Sequence, residues 1–287
     1  MAMKEDLRAW LGAAGRYAPV GQLFGFMNVM AKVLAEPEVQ ARRERTERDD
    51  EALARELSPQ LEVLHGPFSG LGYVRARSAG SALLPKILGC YERELHTVIE
   101  RIVRNDYSDI VDIGCAEGYY AVGLGMRVPR ATVHAFDTSA RARRLCAELA
   151  ERNGVASRLK LGESCDEGAL LALELGPRAL LMSDCEGYEA RLFTPRLAAH
   201  LARHDVLIEV HEQHDPELSR VLQSRFAPTH DITVVESVDD RRKLRVYDFQ
   251  ELAQYDARTR LRIVSEGRAG AMEWLYCASR QPGAASA

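Results

Sequence analysis

The chain has 287 residues, 46% hydrophobic and 28% charged, which is enough for one sizeable core with an appended segment. A net charge of −4 and a pI near 6.1 exclude a general footprint for nucleic-acid phosphates and favour a small-molecule or protein partner. The six cysteines, at 90, 115, 146, 165, 185 and 277, form no CxxC pair and no secretory leader precedes the first helical stretch, so a cytoplasmic protein with reduced thiols is expected.

In chain order, the apolar run from Ala18 to Glu36 is interrupted by Gln22, Asn28 and Lys32 and makes a poor membrane span. Leu23, Phe26, Met27, Met30 and Leu34 recur at helical spacing instead, and the charged run "ARRERTERDDEALARELS" that follows reads as a solvated helix face. Residues 1–65 are therefore expected to be a helical extension whose apolar face packs on the main domain or on a second subunit, giving a homodimer. "GPFSGLGY", residues 66–73, marks a turn-rich connector, and "SALLPKILGCYERELHTVIERIV" resumes a helical period to about Val103.

From residue 109 short apolar runs alternate with helical stretches. "DIVDIG", "ATVHAFD", "SRLKLG", "ALLMSD" and "DVLIEVH" read as strands, with helices beginning near Glu117, Ser139, Asp166, Glu189 and Asp215. Five strand-then-helix repeats predict an α/β domain over 66–280 with a mostly parallel sheet and helices on both faces. "THDITVVES" and "MEWLYCAS" add two strands, an Arg- and Asp-rich stretch at 240–270 separates them, and residues 281–287 form a tail.

The junction of the first strand and helix, "VDIGCAEGYYAVGLG", carries Asp112, Gly114, Ala116 and Gly118. Small residues there let a ligand approach the backbone, and the helix N-terminus behind them offers free N–H groups, which suits a nucleotide-like cofactor. The alternative is a turn that only brings helix and sheet close together. Asp137 ends the second strand where an acid can accept hydrogen bonds from ribose hydroxyls, its alternative being an N-cap, a role Ser139 can also fill. Glu163 and Ser164 end the third strand at the same rim, within reach of an adenine amino group. No GxGxxG is present, which disfavours a nicotinamide-dependent oxidoreductase.

Asp112-x-Gly114-x-Ala116-x-Gly118 resembles motif I of the class I S-adenosylmethionine-dependent methyltransferases, DxGxGxG, with alanine at the middle glycine. The resemblance covers roughly residues 85–280 and implies a Rossmann-like, seven-stranded sheet whose last strand is antiparallel. "MSDCEGYEARLF" followed by "VLIEVHE" is similar to the FkbM-type methyltransferases, whose fourth strand ends in DxEGxE and whose fifth carries an acid and a histidine. Those positions here are Asp184, Glu186, Gly187, Glu189, Glu209 and His211. In such proteins the stretch containing Tyr91 and Glu92 brings a helix over the cofactor. Nucleic-acid methylation is disfavoured by the acidic balance and by the absence of an (N/D)PP(Y/F)-like string.

The cofactor so implied, S-adenosylmethionine, carries a sulfonium and an α-ammonium, which gives carboxylates such as Asp184 a reason to stand at a strand end. Asp184 faces those charges or a substrate hydroxyl, whereas Glu186 and Glu189 also fit as carboxylates in the first turn of a helix. Methyl transfer is an in-line displacement driven mostly by alignment, and a hydroxyl nucleophile profits from a base. His211 is the expected base, with Asp184 or Glu209 orienting it, the alternative being a histidine bonded to a loop carbonyl. "HEQH", one residue short of HExxH and ending a strand, does not fit zinc-protease geometry, although Asp184, Glu209, His211 and His214 make a candidate divalent-metal set. Over the acceptor pocket the resemblance places Glu266, Arg268, Met272 and Trp274. Arg268 is open to two readings, an anion holder or a surface partner of Glu266, and Phe68 is read as closing the opposite side. The sequence thus points to methylation of a small molecule at oxygen, with nitrogen next and a non-catalytic cofactor-binding assembly protein as the other class.

Overall fold

The computed structural model describes residues 41, 44–212, 215–268, 270 and 272–281. The chain divides into two units, 1–49 and 50–287. In the first, residues 44–49 are helical and exposed, and the apolar stretch 18–36 read as a packing or dimerisation helix lies outside the described residues, as does the tail beyond Gln281. The second unit begins at Asp50 rather than near residue 66, because Ala54, Leu57, Leu61 and Val63 are buried in the same core as Phe68, Leu71 and Tyr73. The glycine-rich 66–73 segment is thus core lining, tied back by a bridge between Glu62 and Gly72. Among the described residues no helix is long and apolar enough to cross a membrane.

All seven strand-like runs are strands: β1 Asp109–Ile113, β2 Thr132–Phe136, β3 Leu159–Gly162, β4 Ala179–Ser183, β5 Asp205–Val210, β6 His230–Glu236 and β7 Glu273–Ser279. They form one sheet in the order β3-β2-β1-β4-β5-β7-β6, parallel except that β7 runs antiparallel to β5 and β6. This is the Rossmann-like, seven-stranded sheet with an antiparallel last strand that the resemblance implies. Its order reverses between β1 and β4, so a crevice opens beyond their carboxyl ends.

Alternation of side chains across each strand builds two cores. Ile110, Val133, Leu180, Met182, Leu207, Trp274 and Tyr276 pack on one face, and Val111, Ile113, Leu181, Val206, Ile208 and Leu275 on the other. Helices Tyr119–Arg127, Ala140–Arg152, Glu167–Ala172, Glu189–Leu192 and Leu218–Phe226 begin within a few residues of the predicted starts. Ser139 caps the second of them by accepting from the Ala142 N–H, and Asp166 caps the third through Ala169. The 81–103 stretch is not one helix. It stops at Leu88, where Gly89 takes φ +82 and returns its N–H to the Pro85 and Lys86 carbonyls, and resumes as a 3-10 turn over Arg93–Leu95 that leads into the α-helix His96–Ile102.

The two ends of the sheet treat buried acids differently. At the amino ends, Asp109 accepts from His134 at 3.0 Å and from the Gly176 N–H at 2.8 Å, and Asp205 accepts from Tyr107, Arg178 and the Ser279 N–H. At the carboxyl ends, Asp112 Oδ2, Asp184 Oδ1 and Glu189 Oε2 are buried without a hydrogen-bond donor. An acid left short of donors in the interior costs stability, so the carboxyl edge offers acceptors that the donors of a ligand can satisfy.

Candidate functional site

The motif turn is built from alternate left-handed residues: Gly114 at φ +87, Ala116 at +49 and Gly118 at +95. A Cβ on Gly114 would sit 1.8 Å from the Asp184 carbonyl oxygen, so the first glycine is required where β1 and β4 converge. Gly114→Ala is expected to cost on the order of 3 kcal/mol or more, read as a fall in the denaturant midpoint. The third glycine packs on the next helix, since its Cβ would meet Cys146 Sγ at 2.7 Å. Ala116 adopts a backbone that favours glycine, and its N–H is held by Asp137 Oδ2 at 2.9 Å.

Asp137 also accepts from the Ser139 N–H at 2.7 Å, so its carboxylate ties the motif turn to the start of the following helix while Ser139 does the capping. Glu163 is far from buried, with its side chain 82% exposed and paired to Arg143 at 2.8 Å, and Ser164 is exposed beside it. Tyr91 is buried edge-to-face against Tyr119, with Lys86 Nζ 4.8 Å from its ring centre. Lys86 is itself buried against Glu117 at 2.6 Å, a pair between the Leu83–Leu88 helix and the motif that no spacing in the sequence announces. Phe68 packs on Tyr119 and Tyr120, which makes it core rather than a wall of an acceptor pocket.

Asp112, 3% exposed, is pushed up by burial from its ordinary 3.8 to about 7, with the charges of Asp137 and Glu117 adding to the effect. A folded chain that prefers the neutral carboxyl holds a proton the unfolded chain has lost. Stability is therefore full below 3.8 and falls as pH rises toward 7. Asp112→Asn carries no charge, so its melting temperature should gain on the parent protein across that window and stay ahead above it.

Four acids and a histidine meet at the ends of β4 and β5. His211 is buried, and its Nδ1 lies 2.7 Å from Glu189 Oε1, which also accepts from the Gly187 N–H at 3.2 Å. Burial pushes the Glu189 carboxyl up, but hydrogen bonds from His211 and the backbone outweigh it and hold this group below the ordinary range. An ionised carboxylate only accepts, so Nδ1 is the donor and Nε2 turns to the other acids. Nε2 stands 3.5 Å from Asp184 Oδ1, 3.5 Å from Glu186 Oε2 and 3.9 Å from Glu209 Oε2. The orienting residue is thus Glu189, not Asp184 or Glu209, and Glu189 is more than a helix-start carboxylate. Burial lowers the His211 affinity for protons, yet the bond to Glu189 and the surrounding acids raise it above the ordinary value. Burial first, then the charge of Glu209, holds Asp184 well above the ordinary carboxylate range.

Glu209 is already matched. Its Oε1 lies 2.5 Å from Arg268 Nη1, and the same guanidinium bonds Glu92 and, at 2.8 Å, Glu266. Arg268 is 11% exposed, so it is neither a surface partner nor a spare anion holder. Glu266 is shared in turn with Lys243 Nζ at 2.5 Å, and Tyr120 donates to Glu92. Glu92 is pushed up to about 8 by burial and by Glu209. Lys243 sits in "DDRRKLRV", where no spacing distinguishes the one fully buried cation from its exposed neighbours. Of the predicted metal set, His214 lies outside the described residues and Glu209 is taken by Arg268, whereas Asp184, Glu186 and His211 each bring a ligand atom within 4.8 Å of the others.

No family model matches the chain. The release factor glutamine methyltransferase of Deinococcus radiodurans is 35% identical over 115 residues, 39% of this chain, and the match spans only 38% of that relative's length. Among solved structures, a precorrin-6y C5,15-methyltransferase from Geobacter metallireducens aligns with a TM-score of 0.46 at 11% identity, covering 67% of this chain and 90% of that one. A precorrin 8W decarboxylase from Methanobacterium thermoautotrophicum aligns with a TM-score of 0.42 at 15% identity, covering 63% and 89%.

Proposed function

We propose that the protein is an S-adenosylmethionine-dependent methyltransferase acting on a small molecule, with transfer to oxygen ahead of nitrogen. The observation that carries this reading is the left-handed Gly114–Ala116–Gly118 turn at the point where the strand order reverses, bordered by Asp137 just after β2 and Asp184 just after β4. The partial match to a methyltransferase supports it.

The residues present fit the cofactor. Buried Asp112 Oδ2 lacks a donor, and the cofactor has an ammonium and hydroxyls to offer. Gly114, Ala116 and Gly118 would hold it through their backbone, with Asp137 at the ribose, and Tyr91 and Asp112 lining the turn. When bound, it supplies a methyl group on a positive sulfur, open to displacement by a nucleophile. What this chain adds is alignment and control of a proton. Asp184 and His211 form the end of the crevice where the acceptor's proton leaves, and Glu189 fixes the ring so that Nε2 faces it. Glu209 and Glu92 act from behind, through Arg268, by fixing the charge of that wall.

Calorimetric titration with S-adenosylhomocysteine tests the reading, with NADH as the control for the oxidoreductase alternative. One-to-one heat with the first and none with the second is expected, and the opposite pattern would sink the proposal.

A further inference from the structure

We infer that Asp184, Glu186 and His211 form a divalent-cation site at the carboxyl ends of β4 and β5. The binding claim stands on these side chains alone, while the cation's role in transfer rests on the methyltransferase reading.

Glu189 accepts from His211 Nδ1 in a 2.7 Å bond between two side chains that are 0% and 2% exposed, so Nε2 is the ring nitrogen turned to the other acids. Nε2 faces two carboxylate oxygens, each 3.5 Å away. Carboxylates gathered this closely repel one another, and a divalent cation bound among them relieves that repulsion. A second observation points the same way, since Asp184 Oδ1 is inaccessible to solvent and accepts no hydrogen bond.

The spacing suits a metal ion. Bonds of about 2.0–2.2 Å from one ion to nitrogen and oxygen ligands place neighbouring ligand atoms about 3.0–3.5 Å apart. The two 3.5 Å separations already meet that, and the Glu186 side chain, 79% exposed, is free to close the remaining gap within the 4.8 Å cluster. A carboxylate bonded to the far nitrogen of a ligating histidine is the usual outer partner of such sites, and Glu189 stands there. One nitrogen and two carboxylate oxygens suit Mn2+ or Zn2+ better than Ca2+. Only three protein ligands are offered and one faces solvent, so positions stay open for water or a hydroxyl of the acceptor. A hydroxyl bound there loses its proton to solvent more readily, which makes His211 a ligand and the ion the acidifying group.

The test uses the full chain, stripped with a chelator and titrated with Mn2+, the free ion being followed by its paramagnetic resonance signal. One ion per chain is expected, with binding weakened about 10–100-fold in Glu189→Gln and at least as much in Asp184→Asn and Glu186→Gln. Glu186 is exposed, so its variant keeps the readout independent of folding. Absence of a one-per-chain site, or equal affinity in Asp184→Asn and Glu186→Gln, overturns the inference. S-adenosylhomocysteine is titrated into the same stripped protein. Its binding without Mn2+ binding removes the metal and leaves the methyltransferase reading, and the converse removes the methyltransferase reading and leaves the metal.

Discussion

On the proposed methyltransferase reading, Asp184→Asn is expected to lower kcat/KM by about 10²–10⁴ while leaving S-adenosylhomocysteine affinity within a few-fold. The measurement is incorporation of labelled methyl into the acceptor fraction of a cell extract, alongside calorimetry on the same variant. The split follows from where the side chain stands. Its buried Oδ1 faces His211 Nε2 at 3.5 Å, on the acceptor end, whereas the cofactor is assigned to the turn around Gly114–Gly118 and to Asp137. The Asp184 backbone N–H still bonds the Ile113 carbonyl at 2.9 Å in the amide variant, so β1 and β4 stay joined. Equal losses of transfer and cofactor binding would instead place Asp184 on the cofactor.

Arg268→Met is expected to cost about 3–5 kcal/mol, because it leaves buried carboxylates without their counter-charge. Arg268 is the guanidinium on which Glu92, Glu209 and Glu266 converge, and the first and last of these side chains are 1% exposed. Lys243, at 2.5 Å, compensates Glu266 but is not paired with the other two acids. Removing a charge as well as the arginine tests the cause. Glu209→Gln in the Arg268→Met background should recover part of the lost melting temperature, while the same change in the parent protein should lower it. If the double variant melts no higher than Arg268→Met, the penalty is lost packing rather than unpaired charge.

The strands were legible because buried parallel strands are short apolar runs with acids or glycine at their ends, and "DIVDIG", "ALLMSD" and "DVLIEVH" all have that form. The motif turn was legible for a related reason, since glycine stands at two of three left-handed positions in a row of five. The pairing of side chains was not. Glu189 and His211 are 22 residues apart, and their bond depends on the start of the Glu189–Leu192 helix passing the end of β5, which no periodicity encodes. Arg268 reads in sequence as one more charge in an Arg-rich stretch. Its role emerges only where β7 brings it against β5, at the register Val210 to Glu273. Glu163 shows the reverse failure, because arrival at the right rim does not aim a side chain that Arg143 draws outward.

The measurement closest to the central claim is a diffraction structure of the protein grown with S-adenosylhomocysteine. Adenosine is expected along the Gly114–Gly118 turn, with ribose hydroxyls on Asp137 and the sulfur end directed toward Asp184 and His211. Density for the molecule elsewhere, or none in crystals grown at saturating concentration, would contradict it.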